Sequence, residues 1–264
     1  MGTHRNPLKV AARALVATAL TSCSPTSGTP SAHSVAVTAR AAVEVVEVAP
    51  APVGARTLDV PGFLPAILVV PSGIDSRPLV VAAHGAGGAP EWECDYWTRL
   101  TRGRTFVLCL RGTRINPQAG FYFRNHHALD AELTAAVAAA RQTSSRIAVG
   151  SGIYAGFSQG ASMGSLVVAR HAEEFPYVVL IEGFQQWSGA LARSFAQRGG
   201  NAVLFACGSR ECARTADVSR RAVERAGLRS RAEHAQGAGH TPAGQVEALV
   251  ASNIPWLLAG DMVW

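Results

Sequence analysis

One serine stands at a position where its type and its neighbours permit chemistry. The sequence Gly-Phe-Ser-Gln-Gly at residues 156–160 follows an apolar, strand-like run and precedes small residues typical of a helix. A serine at such a sharp strand-to-helix turn is held away from its own sheet, where a base and a substrate carbonyl can reach it. The flanking glycines permit the turn and the close passage of neighbouring segments. Ser158 is therefore the candidate nucleophile.

A second serine matches the same pattern, in Gly-Ala-Ser-Met-Gly at residues 160–164. Ser162 comes four residues after Ser158, which is one helical turn further on and on the same helix face. The small residues around it favour close packing of that helix on a sheet. We therefore predict a packing role for Ser162 and retain Ser158.

A serine hydroxyl is a weak nucleophile and needs a base, which His240 can supply. His240 lies in the glycine-containing loop at residues 237–242, ahead of a predicted helix from Pro242 to about Leu258. A histidine in such a loop can reach a serine on another loop. The other seven histidines fall in the N-terminal region or in or beside predicted regular elements and loops, and we interpret His84 as ordering its own loop.

The acid that would orient this histidine has three candidates. Glu211 fits best, because it follows the predicted core strand at residues 201–206 and lies between serine and histidine in chain order. Glu182, at the end of the predicted strand at residues 177–181, is the rival. Asp217 is third, because it falls inside the next predicted helix.

The loop at residues 84–88, His-Gly-Ala-Gly-Gly, follows an apolar run of strand length. Glycine-rich backbone in this position can donate an N–H to a developing oxyanion. We assign this donor to Ala86, with Gly87 as the alternative, and the second donor to Gln159. No group of histidine, cysteine and carboxylate residues has metal-ligand spacing, so neither a metal nor another cofactor is expected.

These motifs, in this order, resemble those of α/β-hydrolases of the esterase and lipase kind. The Gly-Phe-Ser-Gln-Gly sequence in particular is similar to that of carboxylesterases, acyl-protein thioesterases and dienelactone-hydrolase-like enzymes. The resemblance covers about residues 55–260 and implies a Ser–His–acid triad, an acyl-enzyme intermediate and a small-molecule ester substrate. Two features depart from the commoner pattern: Glu211 stands in place of aspartate, and it lies between two cysteines.

The order of elements predicts an α/β fold independently of the motifs. Apolar runs of strand length alternate with helical segments, which favours a mostly parallel central sheet with helices on both faces. Residues 56–60 and 66–70, separated by Pro-Gly, predict an opening antiparallel hairpin at the sheet edge. The short stretch between the predicted strands at 177–181 and 201–206 leaves no room for a large lid domain, so we expect an open cleft.

The N-terminus has the three-part layout of a secretory signal. Residues 1–22 contain a positive region with Arg5, Lys9 and Arg13, followed by an apolar stretch too short to span a bilayer. The closing Leu-Thr-Ser-Cys resembles a bacterial lipobox, which would make Cys23 the lipidated first residue of the mature chain. The membrane would then be a partner, with Ser24 favouring the outer membrane. Cleavage elsewhere, with secretion, or a chance cysteine are the alternatives.

The remaining chain divides into a tether and one domain. Residues 23–52 are rich in Ser, Thr, Pro, Ala and Val and predict a flexible tether, whereas residues 53–264 have the size of a single α/β domain. The formal net charge is +6. The arginines of the chain are scattered over predicted helices without a basic stripe, which argues against nucleic-acid binding.

Four cysteines lie beyond Cys23, an even number that an exported chain can keep as disulfides. Three pairings are possible. We favour Cys94–Cys109, joining the first helix to the next strand, and Cys207–Cys212, closing the loop that contains Glu211. The alternative is four free, buried thiols.

These residues together predict a serine hydrolase that cleaves esters or thioesters. A serine peptidase on the same scaffold is the nearest alternative, because the same triad can cleave amides. A lipoprotein that binds a ligand without turning it over is the alternative from another class.

Overall fold

The computed structural model describes residues 54–116 and 118–264. The predicted signal at residues 1–22, the predicted lipidation site Cys23, the whole of the predicted tether at residues 23–52 and the first residue of the predicted domain, Val53, lie outside these residues. Among the residues that are described, no helix combines the length and the apolar character needed to cross a membrane.

The core of the structure is a sheet of eight strands. The strands of the chain are β1 (Ala55–Leu58), β2 (Ala66–Val69), β3 (Leu79–Ala83), β4 (Phe106–Cys109), β5 (Thr113–Arg114), β6 (Phe121–Tyr122), β7 (Ile153–Phe157), β8 (Tyr177–Ile181), β9 (Ala202–Cys207) and β10 (Arg229–His234). Their order in the large sheet is β1-β2-β4-β3-β7-β8-β9-β10, and β5 pairs with β6 separately. From β4 to β10 all neighbours are parallel, and β1 and β2 add an antiparallel edge.

Helices cover both faces of this sheet. They are α1 (Pro90–Leu100), α2 (His126–Thr143), α3 (Gln159–Val167), α4 (Gly189–Gln197), α5 (Arg210–Arg225) and α6 (Gln245–Leu257), and a 3₁₀ turn, Val168–Arg170, extends α3. Helices α1 and α6 pack in the apolar core of one face, and α2, α3, α4 and α5 in that of the other. Burial on both faces explains why β3, β4, β7 and β8 are continuous apolar runs rather than alternating ones.

The architecture confirms the predicted fold class, including the opening hairpin formed by β1 and β2. Only α4 lies between β8 and β9, so the described chain has no large lid there. Two features differ from the prediction. The hairpin of β5 and β6 was not expected, because two-residue strands leave no apolar run, and α5 begins at Arg210, before Glu211.

Both disulfides in the structure have the pairing favoured from the sequence. Cys94 on α1 is bonded to Cys109 at the end of β4, with Cα atoms 5.7 Å apart. Cys207 at the end of β9 is bonded to Cys212 in the first turn of α5, with Cα atoms 5.5 Å apart.

Candidate active site

Ser158 occupies a strained turn between β7 and α3. Its φ of 49° and ψ of −107° lie in a region that residues other than glycine rarely adopt, and such strain is concentrated at functional sites. The neighbouring glycines are required by space: a Cβ on Gly156 would collide with the backbone of Gly160, and a Cβ on Gly160 with the carbonyl of Ala83. The Ser158 N–H donates to the carbonyl of Ile181 at 2.9 Å, which ties the turn to the end of β8.

His240 lies within hydrogen-bonding distance of this serine. The Oγ of Ser158 is 2.9 Å from the Nε2 of His240, although the two residues are 82 positions apart. The loop that contains His240 follows β10 and is anchored beside β9, because the Gly239 N–H donates to the carbonyl of Gly208 at 3.2 Å. The imidazole is 56% exposed. The site is therefore open to solvent.

The carboxylate that contacts His240 is Glu182. Its Oε2 is 3.1 Å from the Nδ1 of His240, on the side of the ring opposite Ser158. Glu182 directly follows β8, and its backbone, with φ of 45°, donates its N–H to Ala206 at 3.0 Å. Ser158, His240 and Glu182 therefore form one hydrogen-bonded chain at the carboxyl ends of the parallel strands.

Glu182 is only 1% exposed, so its carboxylate needs protein donors in place of water. The loop after β9 supplies three: the N–H of Gly208 and the N–H of Ser209 (2.7 Å) both donate to Oε1, and the Ser209 hydroxyl donates to Oε2 at 3.0 Å. With the Nδ1–H of His240, the two oxygens accept four hydrogen bonds. An ionised carboxylate, which only accepts, fits these partners.

The prediction that Glu211 orients the histidine is corrected by this geometry. The Ser209 hydroxyl accepts the Cys212 N–H at 3.3 Å and so caps α5, which places Glu211 in the first helical turn rather than in a loop. Glu211 is exposed and lines a cleft of about 190 Å³ beside His240 without a hydrogen bond to it. Asp217, the third candidate, forms ion pairs with Arg220 and Arg221 on α5.

The hydrogen bonds of the loop at residues 84–88 distinguish its two candidate oxyanion donors, Ala86 and Gly87. The Gly87 N–H donates to the carbonyl of Phe121 at 2.9 Å, so the alternative donor is occupied. Within residues 54–116 and 118–264, no acceptor takes the N–H of Ala86 or of Gln159. The backbone N–H groups of Ala86 and Gln159 therefore remain available to donate to a further acceptor.

The unexpected hairpin fixes the position of this loop. The Phe121 N–H donates to the carbonyl of Gly88 at 2.8 Å, and the side-chain Oε1 of Gln159 accepts the Phe123 N–H at 2.8 Å. Gly120 packs so tightly under the loop that a Cβ there would collide with the carbonyls of Gly87 and Gly88. The segment containing β5 and β6 is thus tied both to the loop at residues 84–88 and to the residue after Ser158.

His84 has the loop-ordering position interpreted from the sequence. It is buried, its Nδ1 is 2.7 Å from the carbonyl of Gly85, and its Nε2 is 2.9 Å from the carbonyl of Arg111. Its ring stacks on Phe123 at 4.9 Å between centroids. Burial lowers the pKa of His84. Ser162, also as interpreted, lies one turn into α3, where its N–H donates to the carbonyl of Ser158 at 2.8 Å.

Phe157 is the aromatic residue of the site that sequence reasoning missed. Its ring centroid is 5.4 Å from that of His240 and 6.4 Å from that of the half-buried Trp92. Its place directly before Ser158 could have indicated this role. Trp97 and Trp187 are buried in the core and do not line the site.

One group of metal-ligand types is present among the described residues, formed by Glu182, Cys207 and Cys212. The two sulfur atoms are bonded to each other, and the carboxylate is occupied by the donors described above. These residues therefore do not offer the thiolate ligands that a metal site of this type requires.

Comparison with known proteins supports the architecture. No protein-family model matches the sequence, and no curated protein matches it at a significant level. Solved structures do match. The esterase PE8 has a TM-score of 0.59 and 19% identity, over 77% of this chain and 100% of that one. Est1E from Butyrivibrio proteoclasticus has a TM-score of 0.56 and 14% identity, over 78% and 98%.

A third similar structure is a dienelactone hydrolase-like promiscuous phosphotriesterase, P91, from metagenomic libraries. It has a TM-score of 0.58 and 16% identity, over 77% of this chain and 98% of that one. The described chain has the α/β-hydrolase fold. At these identities the similarity is one of fold, and the chemistry of this chain has to be argued from its own residues.

Proposed function

We propose that the protein is a serine hydrolase that cleaves carboxylic esters or thioesters. The observation that supports this most strongly is the continuous contact from the Ser158 hydroxyl through His240 to the buried carboxylate of Glu182. A nucleophile, a base and a group that orients the base are the minimum for covalent acyl transfer. The esterase names of similar structures favour the same class of substrate.

In the first half of the reaction, the Nε2 of His240 accepts the proton of Ser158 as the serine oxygen bonds to the acyl carbon. The carbonyl oxygen becomes an oxyanion between the N–H groups of Ala86 and Gln159. In other serine hydrolases each such donor contributes ~3 kcal/mol to the stability of the transition state. His240 then gives its proton to the departing alcohol or thiol, which leaves the acyl group on Ser158.

In the second half, water takes the place of the alcohol. His240 accepts a proton from the water as its oxygen attacks the acyl carbon, and returns that proton to Ser158 when the acid leaves. Glu182 remains ionised throughout, holds the Nδ1–H tautomer of the imidazole and stabilises its charged form. The cleft beside His240, lined in part by Phe184, Glu211 and Thr215, offers space for one side of a small ester.

The experiment that tests this proposal is active-site labelling of the purified full-length protein with a fluorophosphonate probe. We expect the wild type to be labelled and the Ser158→Ala variant to be neither labelled nor able to hydrolyse p-nitrophenyl esters. Ser162→Ala is the matched control, since it removes a hydroxyl one turn away and should be labelled normally. Hydrolysis by Ser158→Ala at the wild-type rate would refute the proposal. Faster cleavage of aminoacyl anilides than of esters would instead favour a peptidase.

We further propose that the protein is exported and anchored through Cys23. The layout of residues 1–22 and the Leu-Thr-Ser-Cys sequence support this, and so do the two disulfides, since disulfides persist in oxidising compartments. Residues 23–52 would then separate the membrane from the catalytic domain at residues 53–264.

A further inference from the structure

The disulfide between Cys207 and Cys212 closes a short ring around the residues that hold Glu182. The ring comprises residues 207–212, and we refer to it as the 207–212 ring. Gly208 and Ser209, both inside it, supply three of the four hydrogen bonds to the carboxylate. The other disulfide, Cys94–Cys109, joins α1 to β4 and encloses none of these donors.

The sulfur atoms also lie directly against the carboxylate. Each Sγ of Cys207 and Cys212 and a carboxylate oxygen of Glu182 are all within 4.8 Å of one another. Removal of this bond would therefore release the end of β9 from the first turn of α5 at the point where Glu182 is held. The Ser209 hydroxyl connects the carboxylate to the first turn of α5, because it donates to Glu182 and accepts the Cys212 N–H.

The 207–212 ring also anchors the loop that contains the base, His240. The carbonyl of Gly208 accepts the Gly239 N–H at 3.2 Å, and the carbonyl of Cys207 accepts the Ala235 N–H at 2.7 Å. Both bonds anchor the loop that contains His240. One covalent bond thus holds together the donors to the acid and the anchor of the base.

We propose that the 207–212 ring is the positioning element of the catalytic acid, so that hydrolysis depends on the oxidation state of this disulfide and not on that of Cys94–Cys109. This inference rests on the proposed serine hydrolase function. The cysteines act through Glu182 and do not touch the substrate's reacting atoms. Loss of the bond would leave an acid that is present but not held in the geometry that orients the imidazole.

The two disulfides differ in a way that makes the inference testable. In the chain-entropy view, a disulfide stabilises the fold more when it closes a longer loop. Cys94–Cys109 spans a sequence separation of 15 and Cys207–Cys212 one of 5, so removal of Cys94–Cys109 should lower the free energy of unfolding more. Removal of Cys207–Cys212 should lower kcat more. If kcat fell only because the fold is less stable, the variant without Cys94–Cys109 would lose more activity.

The first experiment compares the paired variants C207S/C212S and C94S/C109S of the full-length protein on one p-nitrophenyl ester. For C207S/C212S we expect kcat to fall at least about 10-fold with KM within about twofold, because orientation of the base matters to the chemical step. For C94S/C109S we expect a lower melting temperature and a kcat within about threefold of the wild type. Equal losses of kcat in the two variants would overturn the inference.

A double-mutant cycle separates positioning of the acid from general disruption of the site. In the Glu182→Gln background, where the acid is already lost, removal of the Cys207–Cys212 bond should lower kcat by a smaller factor than in the wild type, because only its effect on the loop that contains His240 remains. Losses that multiply would show that the ring acts independently of Glu182, and would count against the inference. Ser209→Ala should also lower kcat, whereas Ser209→Thr, which keeps a hydroxyl, should retain most of it.

Reduction of the wild-type protein tests, without any substitution, whether kcat depends on the Cys207–Cys212 disulfide. A dithiothreitol thiolate attacks the disulfide at Cys212, which lines the cleft and is 7% exposed, and the second thiolate then closes the reagent's own disulfide. The protein gains two electrons and two protons, and dithiothreitol loses the same. Cys94 and Cys109 are both 0% exposed and should react more slowly.

We expect kcat to fall in step with alkylation of Cys207 and Cys212 by iodoacetamide, followed by peptide mass, in samples quenched at intervals. Activity should return when unalkylated samples are reoxidised. Reduction of both residues with kcat unchanged would overturn the inference. Ser158→Ala distinguishes the two levels of failure: if that variant hydrolyses the ester, the hydrolase proposal itself fails, whatever the ring does.

Discussion

Among single residues, the two carboxylates near His240 differ most in what they are expected to do. Glu182 is buried and contacts the imidazole, whereas Glu211 is exposed in the cleft without a bond to it. Chain order does not separate the two, because both lie between Ser158 and His240; Glu211 ranks first from sequence because it directly follows the predicted core strand at residues 201–206. The positive φ of Glu182 and the contacts of its carboxylate with Gly208 and Ser209 are properties of the folded chain and have no counterpart in a sequence pattern.

This difference gives a prediction with a matched control. Glu182→Gln should lower kcat by about 100-fold to 10,000-fold, because loss of the acid in a comparable triad disturbs the tautomer of the histidine. Glu211→Gln should leave kcat within about threefold, since only a surface charge is removed. The measurement is steady-state hydrolysis of a p-nitrophenyl ester by both variants. If the losses were equal and mild, neither residue would be the acid.

A second residue-scale prediction concerns Glu93, which is buried in α1 away from any described salt-bridge partner. Burial raises the pKa of its carboxyl from 4.5 to about 8. The folded protein therefore binds a proton that the unfolded chain has released. The stability associated with this proton is fully present below pH 4.5 and is lost as the pH rises through 8.

Glu93→Gln should remove this loss, because the amide does not ionise. Between pH 6 and pH 9, the free energy of unfolding of the wild type should fall by about 2 to 3 kcal/mol more than that of the variant. Urea unfolding of both proteins at the two pH values measures this difference, in which the other titrating groups cancel. Parallel curves for the two proteins would contradict a buried, protonated Glu93.

Among the elements, the β5–β6 hairpin has the most direct link to the site. The side chain of Gln159 joins α3 to this hairpin by accepting the Phe123 N–H. Gln159→Ala would leave that half-buried N–H without its acceptor, at a cost of about 1 to 3 kcal/mol in stability. It should also lower kcat, because the loop at residues 84–88, with the proposed oxyanion donor Ala86, loses part of its support.

Urea unfolding and kcat together test this link between the elements. Gln159→Glu, which keeps an acceptor oxygen for the Phe123 N–H, is the control and should be more stable than Gln159→Ala. The backbone N–H of residue 159 is unchanged in both variants. A loss of kcat without any loss of stability would mean that the side chain acts on substrate rather than on the hairpin.

The elements also show which boundaries can be predicted from sequence. The strands β3, β4, β7, β8 and β9 stand out as apolar runs, because burial on both faces demands them. Glu211 was expected in a loop closed by Cys207–Cys212, but Ser209, a good helix cap, starts α5 at Arg210. This start places Glu211 in a helix instead. The two-residue strands β5 and β6 have no periodicity from which they could be predicted.

For the whole molecule, the alternation of strands and helices predicted the fold, and two loops contained Ser158 and His240 as expected. A parallel sheet brings the carboxyl ends of its strands to one edge, so such residues converge even when they are distant in sequence. Which of several acids reaches the base depends on the direction of each loop and on the hydrogen-bond donors that surround the carboxylate. Gly208 and Ser209 decide it here, through contacts that no spacing rule contains.

The proposed anchoring leads to a prediction for the whole protein. In a bacterial host that processes lipoproteins, the full-length chain should enter the detergent phase of a Triton X-114 partition, because several acyl chains anchor a protein stably. Cys23→Ser should move it to the aqueous phase while leaving the proposed hydrolysis of p-nitrophenyl esters, per mole of protein, unchanged. Metabolic labelling with an alkyne fatty acid should mark the wild type alone. Equal partition of the two proteins would contradict lipidation at Cys23.

The exposure of the His240 imidazole, 56%, has a consequence for the acyl-enzyme intermediate of the proposed reaction. An enzyme that closes over its intermediate can keep solvent out and choose its second nucleophile. In an uncovered groove the acylated serine meets bulk solvent from the moment the alcohol departs. We therefore expect breakdown to the free acid, rather than transesterification to another alcohol, even when that alcohol is supplied in excess.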